Sequence, residues 1–215
     1  INMPIRTTPL ANGEYYHIIN RGVAQIPIFL NARDYQRFIE TFTYYMNGKI
    51  TTRYSLSDNK PKHDPANQIV EVVNYCLMPN HFHFLLKQNE DEGIRNFIRK
   101  ATNSYAKYFN IKRKRKGPLF EGTFKAVRVA TNEQLLHLSR YIHLNPLIGY
   151  ATKNLNSYKW SSYPEFLGNY ELQICSKDII LEQFKSSKDY ELFVLDHIDY
   201  AKRLDQIKHQ LLEEA

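Results

Sequence analysis

Cysteine is scarce in this sequence, with Cys76 and Cys175 the only two in 215 residues. Neither lies in a CxxC pair, which excludes a zinc ribbon or a thioredoxin-like redox motif and fits reduced thiols in the cytoplasm. No run of about 18 apolar residues occurs, so no segment is suited to span a membrane. The start, Ile1 to Leu10, lacks the apolar stretch of a secretory signal, and Met3 is a candidate natural start. Internal repeats and low-complexity segments are absent. Carboxylates are outnumbered, 22 against 29 Lys and Arg, giving a net charge of +7 and a pI of about 9.2. That balance points to an anionic partner, nucleic acid foremost. Hydrophobic residues reach 43%, enough for a sizeable core, which excludes a disordered chain.

What is present falls into alternating periods. Tyr15 to Asn20 is rich in β-formers and reads as a strand, with Asn20-Arg21-Gly22 as its turn. Arg33 to Met46 places Tyr35, Phe38, Ile39, Phe42 and Tyr45 at helical spacing. Thr51 to Asn67, with Pro61 and Pro65, reads as a loop. Ile69–Leu77 and His81–Lys87 read as two strands of a hairpin around Met78-Pro79-Asn80. Glu92 to Asn110 is helical by pattern, and Leu119 to Ala130 reads as a long strand. Thr131 is a suitable N-cap for a further helix, with Gln134 at capping-box spacing. That helix should run to about Leu144, because Asn145-Pro146 disfavours its continuation.

The resulting order predicts an α+β fold of the ferredoxin-like or RRM-like βαββαβ type, an antiparallel sheet carrying helices. The character changes near residue 150. Residues 1–150 are therefore expected to form one domain and residues 151–215 a mainly helical C-terminal extension.

Three constellations carry chemistry. In His81-Phe82-His83 the strand period turns both imidazoles to one face, where they can share a cation, while Phe82 turns the other way. Tyr141 and Asn145 stand four apart and share one helix face. A tyrosine hydroxyl beside a cation can attack a phosphodiester, and an amide oxygen can ligate a hard ion. His137 lies four residues before Tyr141, whereas His143 should turn away from it. Lys112, Arg113, Lys114, Arg115 and Lys116 form an unbroken basic run suited to phosphate contact. Arg21, Arg95, Arg99, Lys100, Lys125 and Arg128 are further candidates. Aromatic residues, at 13%, could stack bases of a single strand.

Taken together, Tyr75 to Leu86 (YCLMPNHFHFLL), Gly117 to Lys125 (GPLFEGTFK) and Arg140 to Pro146 (RYIHLNP) resemble the single-tyrosine transposases of the HUH nuclease superfamily. The branch they resemble most is the REP-associated tyrosine transposases, of the transposase IS200-like family. The similarity extends from about Tyr15 to Pro146.

The resemblance implies that His81 and His83 are paired metal ligands for Mg²⁺ or Mn²⁺ and that Tyr141 is the nucleophile. Asn145 takes the place where the insertion-sequence branch has glutamine, as third ligand. It further implies cleavage and rejoining of single-stranded DNA through a 5′-phosphotyrosine intermediate. The expected partner is a hairpin-containing element end, bound by a monomer or homodimer. Tyr105 and Tyr108 are rival nucleophiles. Two other classes stand beside this one: a non-catalytic single-stranded nucleic-acid module on the same scaffold, and a metal-dependent hydrolase that uses water and forms no adduct.

Overall fold

The computed structural model describes residues 9–48, 50, 52–57, 67–169, 173–199 and 201. Most of the predicted loop at 51–67, the Met3 start and residues 202–215 of the extension lie outside them. The strands are β1 (Tyr15–Arg21), β2 (Val70–Met78), β3 (His81–Gln88) and β4 (Lys125–Val129). The helices are α1 (Ala32–Tyr45), α2 (Gly93–Lys112), α3 (Asn132–Ile148), α4 (Tyr163–Phe166), α5 (Asp178–Leu181) and α6 (Ser187–Leu195). The sheet order is β2-β3-β1-β4, with every neighbouring pair antiparallel. This is the predicted α+β, split-βαβ arrangement; the described residues after 150 carry the short helices α4, α5 and α6 between turns and loops, less helix than the sequence pattern predicts.

Alternation along the strands divides the molecule into two layers. Tyr16, Ile18, Phe82, Phe84 and Leu86 turn to one face and are buried with Phe38 and Phe42 of α1 and Phe97 of α2. Phe84 touches the rings of Phe42 and Phe97, at 5.1 and 6.0 Å between centroids. Truncating such a ring to alanine should cost about 3–5 kcal/mol. The residues between them, His17, Ile19, His81, His83 and Leu85, turn to the opposite face, where α3 packs. The histidine pair thus stands with its back to one core and its rings beneath α3.

Residues of the extension complete this second layer. Leu155, Tyr158, Tyr163, Phe166, Tyr190 and Val194 are buried with Ile142 and Leu144 of α3. The same segment covers the β2 edge. The Leu77 N–H donates to the Trp160 carbonyl, the Ser162 N–H to the Tyr75 carbonyl and the Ser176 N–H to the Val72 carbonyl. An edge that would otherwise template further pairing is closed in this way.

Three of the boundaries that differ from the sequence expectation have a clear physical cause. Arg21 remains in β1, so the turn begins at Gly22, where a Cβ would lie 2.2 Å from the Ile26 carbonyl oxygen. The last strand starts at Lys125, not Leu119. Leu119, Phe120 and Phe124 are apolar because they anchor a loop in the α1–α2 core, and Gly122 at φ +60° breaks any extended run. Finally, α3 passes through Pro146 to Ile148. Burial of Leu144 and packing of Leu147 and Ile148 outweigh the local preference before proline, and the Gly149 N–H still reaches the Asn145 carbonyl at 2.8 Å.

Candidate functional site

β3 and α3 bring the site together. The β2–β3 turn is held firmly: the Pro79 carbonyl accepts the N–H groups of Ile28 and Phe29, and the Asn80 carbonyl accepts that of Gly22. His81 and His83 follow on the α3 face, with ring centroids 4.9 Å apart. α3 begins at Thr131, whose side chain accepts the Gln134 N–H at 3.1 Å, as the capping pattern predicts. Gln134 accepts the Ala130 N–H in return. Tyr141 then lies three turns along, its ring edge-on to His83 at 5.6 Å. His83 is 4% exposed, whereas Tyr141 is 41% exposed and open to a large substrate. Asn145 is buried on the next turn, its Nδ2 donating to the Tyr141 carbonyl at 2.8 Å. That leaves Oδ1 as the amide atom with ligand capacity.

His17 of β1 completes the cluster. Its Nε2 lies 2.9 Å from Nδ1 of His83, with the two rings stacked, and its ring is 6.1 Å from that of Tyr141. Sequence reasoning passed over it. The available signal was the period of two in Tyr15–Asn20, which sets His17 as the polar residue opposite buried Tyr16 and Ile18.

The hydrogen bonds give the two β3 histidines a common orientation. Nδ1 of His81 meets Asn80 Oδ1 at 2.6 Å, and Nδ1 of His83 meets His17. Both Nε2 atoms therefore remain as donors toward a cation, the arrangement in which the second ring nitrogen fixes the tautomer. Burial lowers the pKa of His17 to about 4. Burial, aided by the Arg21 charge, does the same to His81, also to about 4. Burial and the two neighbouring histidines hold His83 well below its ordinary value. All three are neutral near pH 7, the form that ligates metal. Among the described residues no group of three or more His, Cys, Asp or Glu side chains is arranged to hold a metal ion. The Asn145 amide oxygen is a donor of a different type.

Other predicted residues stand elsewhere. Tyr105 is fully buried beyond the sheet, donating to the Ile28 carbonyl, and burial pushes its hydroxyl far up. Tyr108 bonds Asp34 on the same remote side. His143 turns away from Tyr141, as expected, to Tyr190 and Ser162. His137 meets Arg140 rather than the cluster. In the basic run, Lys112 and Arg113 pair with buried Asp34, and Arg115 binds the Gly117 and Pro118 carbonyls. Lys114, Lys116 and Lys125 are exposed. Arg21, Arg95 and Arg128 pair with Glu121, Glu92 and Glu14. Among the described residues no helix is long and apolar enough to cross a membrane.

Comparisons with known proteins gave a family match and similar solved structures. A family model described as "Transposase IS200 like" matches residues 63–145, the span from before β2 to Asn145. A solved structure of a REP-associated tyrosine transposase bound to a REP hairpin is 11% identical, with a TM-score of 0.58 over 80% of this chain and 90% of that one. The likeness at that identity is one of fold. A candidate transposase from Deinococcus radiodurans R1 is 15% identical over 64% of this chain and 95% of that one, at a TM-score of 0.37. None of the curated proteins matches the sequence.

Proposed function

We propose, from the match of residues 63–145 to the family model described as "Transposase IS200 like", that this chain cuts and rejoins single-stranded DNA with Tyr141 as nucleophile. The observation that carries the proposal is the convergence of His81, His83 and Tyr141, from separate elements, on one face of the sheet. We take residues 1–150 as the nuclease domain and residues 151–215 as its C-terminal extension.

In this mechanism His81 and His83, through Nε2, and Asn145, through Oδ1, would hold Mg²⁺ or Mn²⁺. Such a cation, when bound, would supply positive charge to the scissile phosphate. Tyr141 Oη attacks the phosphorus and loses its proton to solvent. The bond to the 3′ oxygen breaks, leaving a 5′-phosphotyrosine and a free 3′-OH. A second 3′-OH attacks the phosphotyrosine, the phosphodiester re-forms and the tyrosine is released. Because the bond energy is retained in the covalent link, no nucleotide cofactor is required. His17 would hold His83 in place through the hydrogen bond between Nε2 and Nδ1. Lys114, Lys116 and Lys125, which are exposed, would supply phosphate contacts.

The hairpin in the similar structure belongs to that protein. For this chain a hairpin-containing element end is the proposed substrate. The test is a labelled single-stranded hairpin incubated with Mn²⁺ and run on a denaturing gel. The wild type should give a protein–DNA adduct, and Tyr141→Phe should give neither adduct nor cleavage. An adduct formed by Tyr141→Phe places the nucleophile elsewhere, and cleavage without any adduct makes water the nucleophile.

A further inference from the structure

Arg21 ends β1 directly opposite His81. The β1–β3 register pairs the two, and strand alternation turns Arg21 to the face of His17 and Ile19, beneath α3. Lys125 of β4 pairs with Ile19 and turns the same way. Burial and then the Arg21 charge lower the His81 pKa, so the guanidinium lies within electrostatic reach of that imidazole.

A carboxylate occupies this guanidinium. Arg21 Nε donates to Glu121 Oε2 and Nη2 to Glu121 Oε1, a side-on grip at two points. Nη1 has no hydrogen-bond partner among the described residues. The Arg21 and Glu121 side chains are each 48% exposed. The bond from Arg21, its charge and that of Lys125 hold the Glu121 carboxyl below its usual range. Two cations therefore act on one anion beside the histidine pair.

Holding the loop does not require this pair. The Glu121 N–H donates to the Arg21 carbonyl at 2.8 Å and the Val23 N–H to the Leu119 carbonyl at 3.0 Å. Leu119, Phe120 and Phe124 are buried as anchors. An exposed ion pair adds little to such a set. Arginine takes phosphate with the same two-point geometry it uses for carboxylate. Glu121 thus fills a seat of the shape and charge that a phosphate needs.

Tyr141 and Arg21 flank the histidine pair from opposite ends. The Tyr141 ring meets His83 and His17, whereas Arg21 stands across from His81. In-line displacement at phosphorus expels the leaving oxygen on the side away from the attacking atom. With Tyr141 Oη attacking, that side is the Arg21 side.

We propose that Arg21 grips the scissile phosphate of single-stranded DNA on the side of the leaving 3′ oxygen, and that Glu121 keeps this seat until DNA displaces it. The identity of the phosphate rests on the cleavage reading given above; the seat itself does not. As the bond from Tyr141 Oη to phosphorus forms, the bond to the 3′ oxygen breaks. Its electron pair passes to that oxygen, which takes a proton from solvent. Arg21 stays protonated and offsets the charge that develops there.

Binding is read by fluorescence anisotropy with the full chain and a labelled single-stranded hairpin with an unpaired tail, in EDTA, where nothing is cut. Arg21→Gln should weaken binding at least fivefold, and Glu121→Gln should tighten it at least threefold. Glu14→Gln removes the same charge from the Arg128 pair and should change binding less than twofold. If Arg21→Gln and Glu121→Gln move affinity in the same direction, or neither moves it, the pair is only a loop staple and the seat is overturned. A gain in Glu14→Gln equal to that in Glu121→Gln would make net charge the cause and overturn it as well. Arg21→Lys keeps the charge without the two-point grip, so it should recover part of the binding and little of the rate. With Mn²⁺, single-turnover cleavage of the bound hairpin should fall about 100-fold in Arg21→Gln while Mn²⁺ affinity by calorimetry is not reduced. A sulfur in place of the leaving 3′ oxygen departs without such help and should shrink that defect at least tenfold. A defect of unchanged size with sulfur would remove Arg21 from the leaving side. Opposite shifts in EDTA with no adduct from the wild type would overturn the Tyr141 chemistry and the leaving-oxygen assignment together, and leave a phosphate seat.

Discussion

His17 Nε2 lies 2.9 Å from His83 Nδ1, and the protonated nitrogen of one ring decides the tautomer of the other. The pair spans β1 and β3, so a residue outside the HxH motif sets the orientation of a proposed ligand. Replacing His17 by alanine should lower Mn²⁺ affinity 10- to 100-fold, as losses of such outer partners do. His17→Asn, which keeps a polar partner, should recover part of it. Calorimetric titration with Mn²⁺ reads the effect directly, and an unchanged affinity would reduce His17 to a packing residue.

Removing both proposed ligands is a separate matter. His81→Ala with His83→Ala should abolish Mn²⁺ binding and strand cleavage while the thermal midpoint stays within a few degrees. The two rings lie over a sheet whose opposite face carries the aromatic core, so their loss leaves that core whole. Full cleavage by the double variant would eliminate the site.

The basic run divides into two halves with different tasks. Lys112 and Arg113 satisfy both oxygens of fully buried Asp34, so Lys112→Gln with Arg113→Gln should destabilise the fold by about 1–3 kcal/mol in urea unfolding. Lys114→Gln with Lys116→Gln should leave stability alone and flatten the salt dependence of DNA binding. Burial by itself would raise the Asp34 pKa, but bonds from Lys112, the Leu30 N–H and Arg113 hold it below the ordinary value. Its stabilising contribution is therefore present above the unfolded carboxylate pKa and lost as the pH falls below about 4. Asp34→Asn should remove that acid-sensitive part.

Acid should also act through His143. Complete burial lowers its pKa to about 3, while the unfolded imidazole titrates near 6.5. Between those values the unfolded chain binds the extra proton, so stability falls as pH falls, by up to about 1.4 kcal/mol per pH unit from this group. Denaturation midpoints measured from pH 6.5 to 4 should show a steeper decline in the wild type than in His143→Gln. Parallel curves would exclude His143 as the source.

Much of this was legible because it rests on local periods. The two-residue alternation around Phe82 and the four-residue step from Tyr141 to Asn145 both appear in the structure as read. What escaped the sequence depends on partners distant along the chain. His17 joins the cluster only through the β1–β3 register, which pairs Ile19 with His83. Leu119 to Phe124 has strand composition, yet its apolar side chains serve as anchors for a loop. Pro146 stays helical because the extension buries the turn around it. The basic run looked uniform, but a single buried carboxylate 78 residues from Lys112 engages two of its members.

α3 is fastened to its own chain at several points. Arg140 lies over Phe193, His143 bonds Tyr190 and Ser162, and Ser139 meets both Asn74 and Tyr190. Swinging the helix onto another subunit would break all of these contacts and open an aromatic core. A mixture of Tyr141→Phe with His81→Ala, His83→Ala protein should therefore recover no cleavage, and recovered cleavage would show exchange of α3 between chains.

Under the proposed mechanism, the same fastening decides which component would move during strand exchange. A 5′ end joined to Tyr141 would be moored to a fixed post and stay where it was cut. The severed 3′ end would have to leave, and the incoming 3′ end would have to travel to the mooring. The tempo of rejoining would then be set by the reach and stiffness of the DNA, so longer unpaired tethers between stem and cut should change the rate of ligation more than the rate of the first cut.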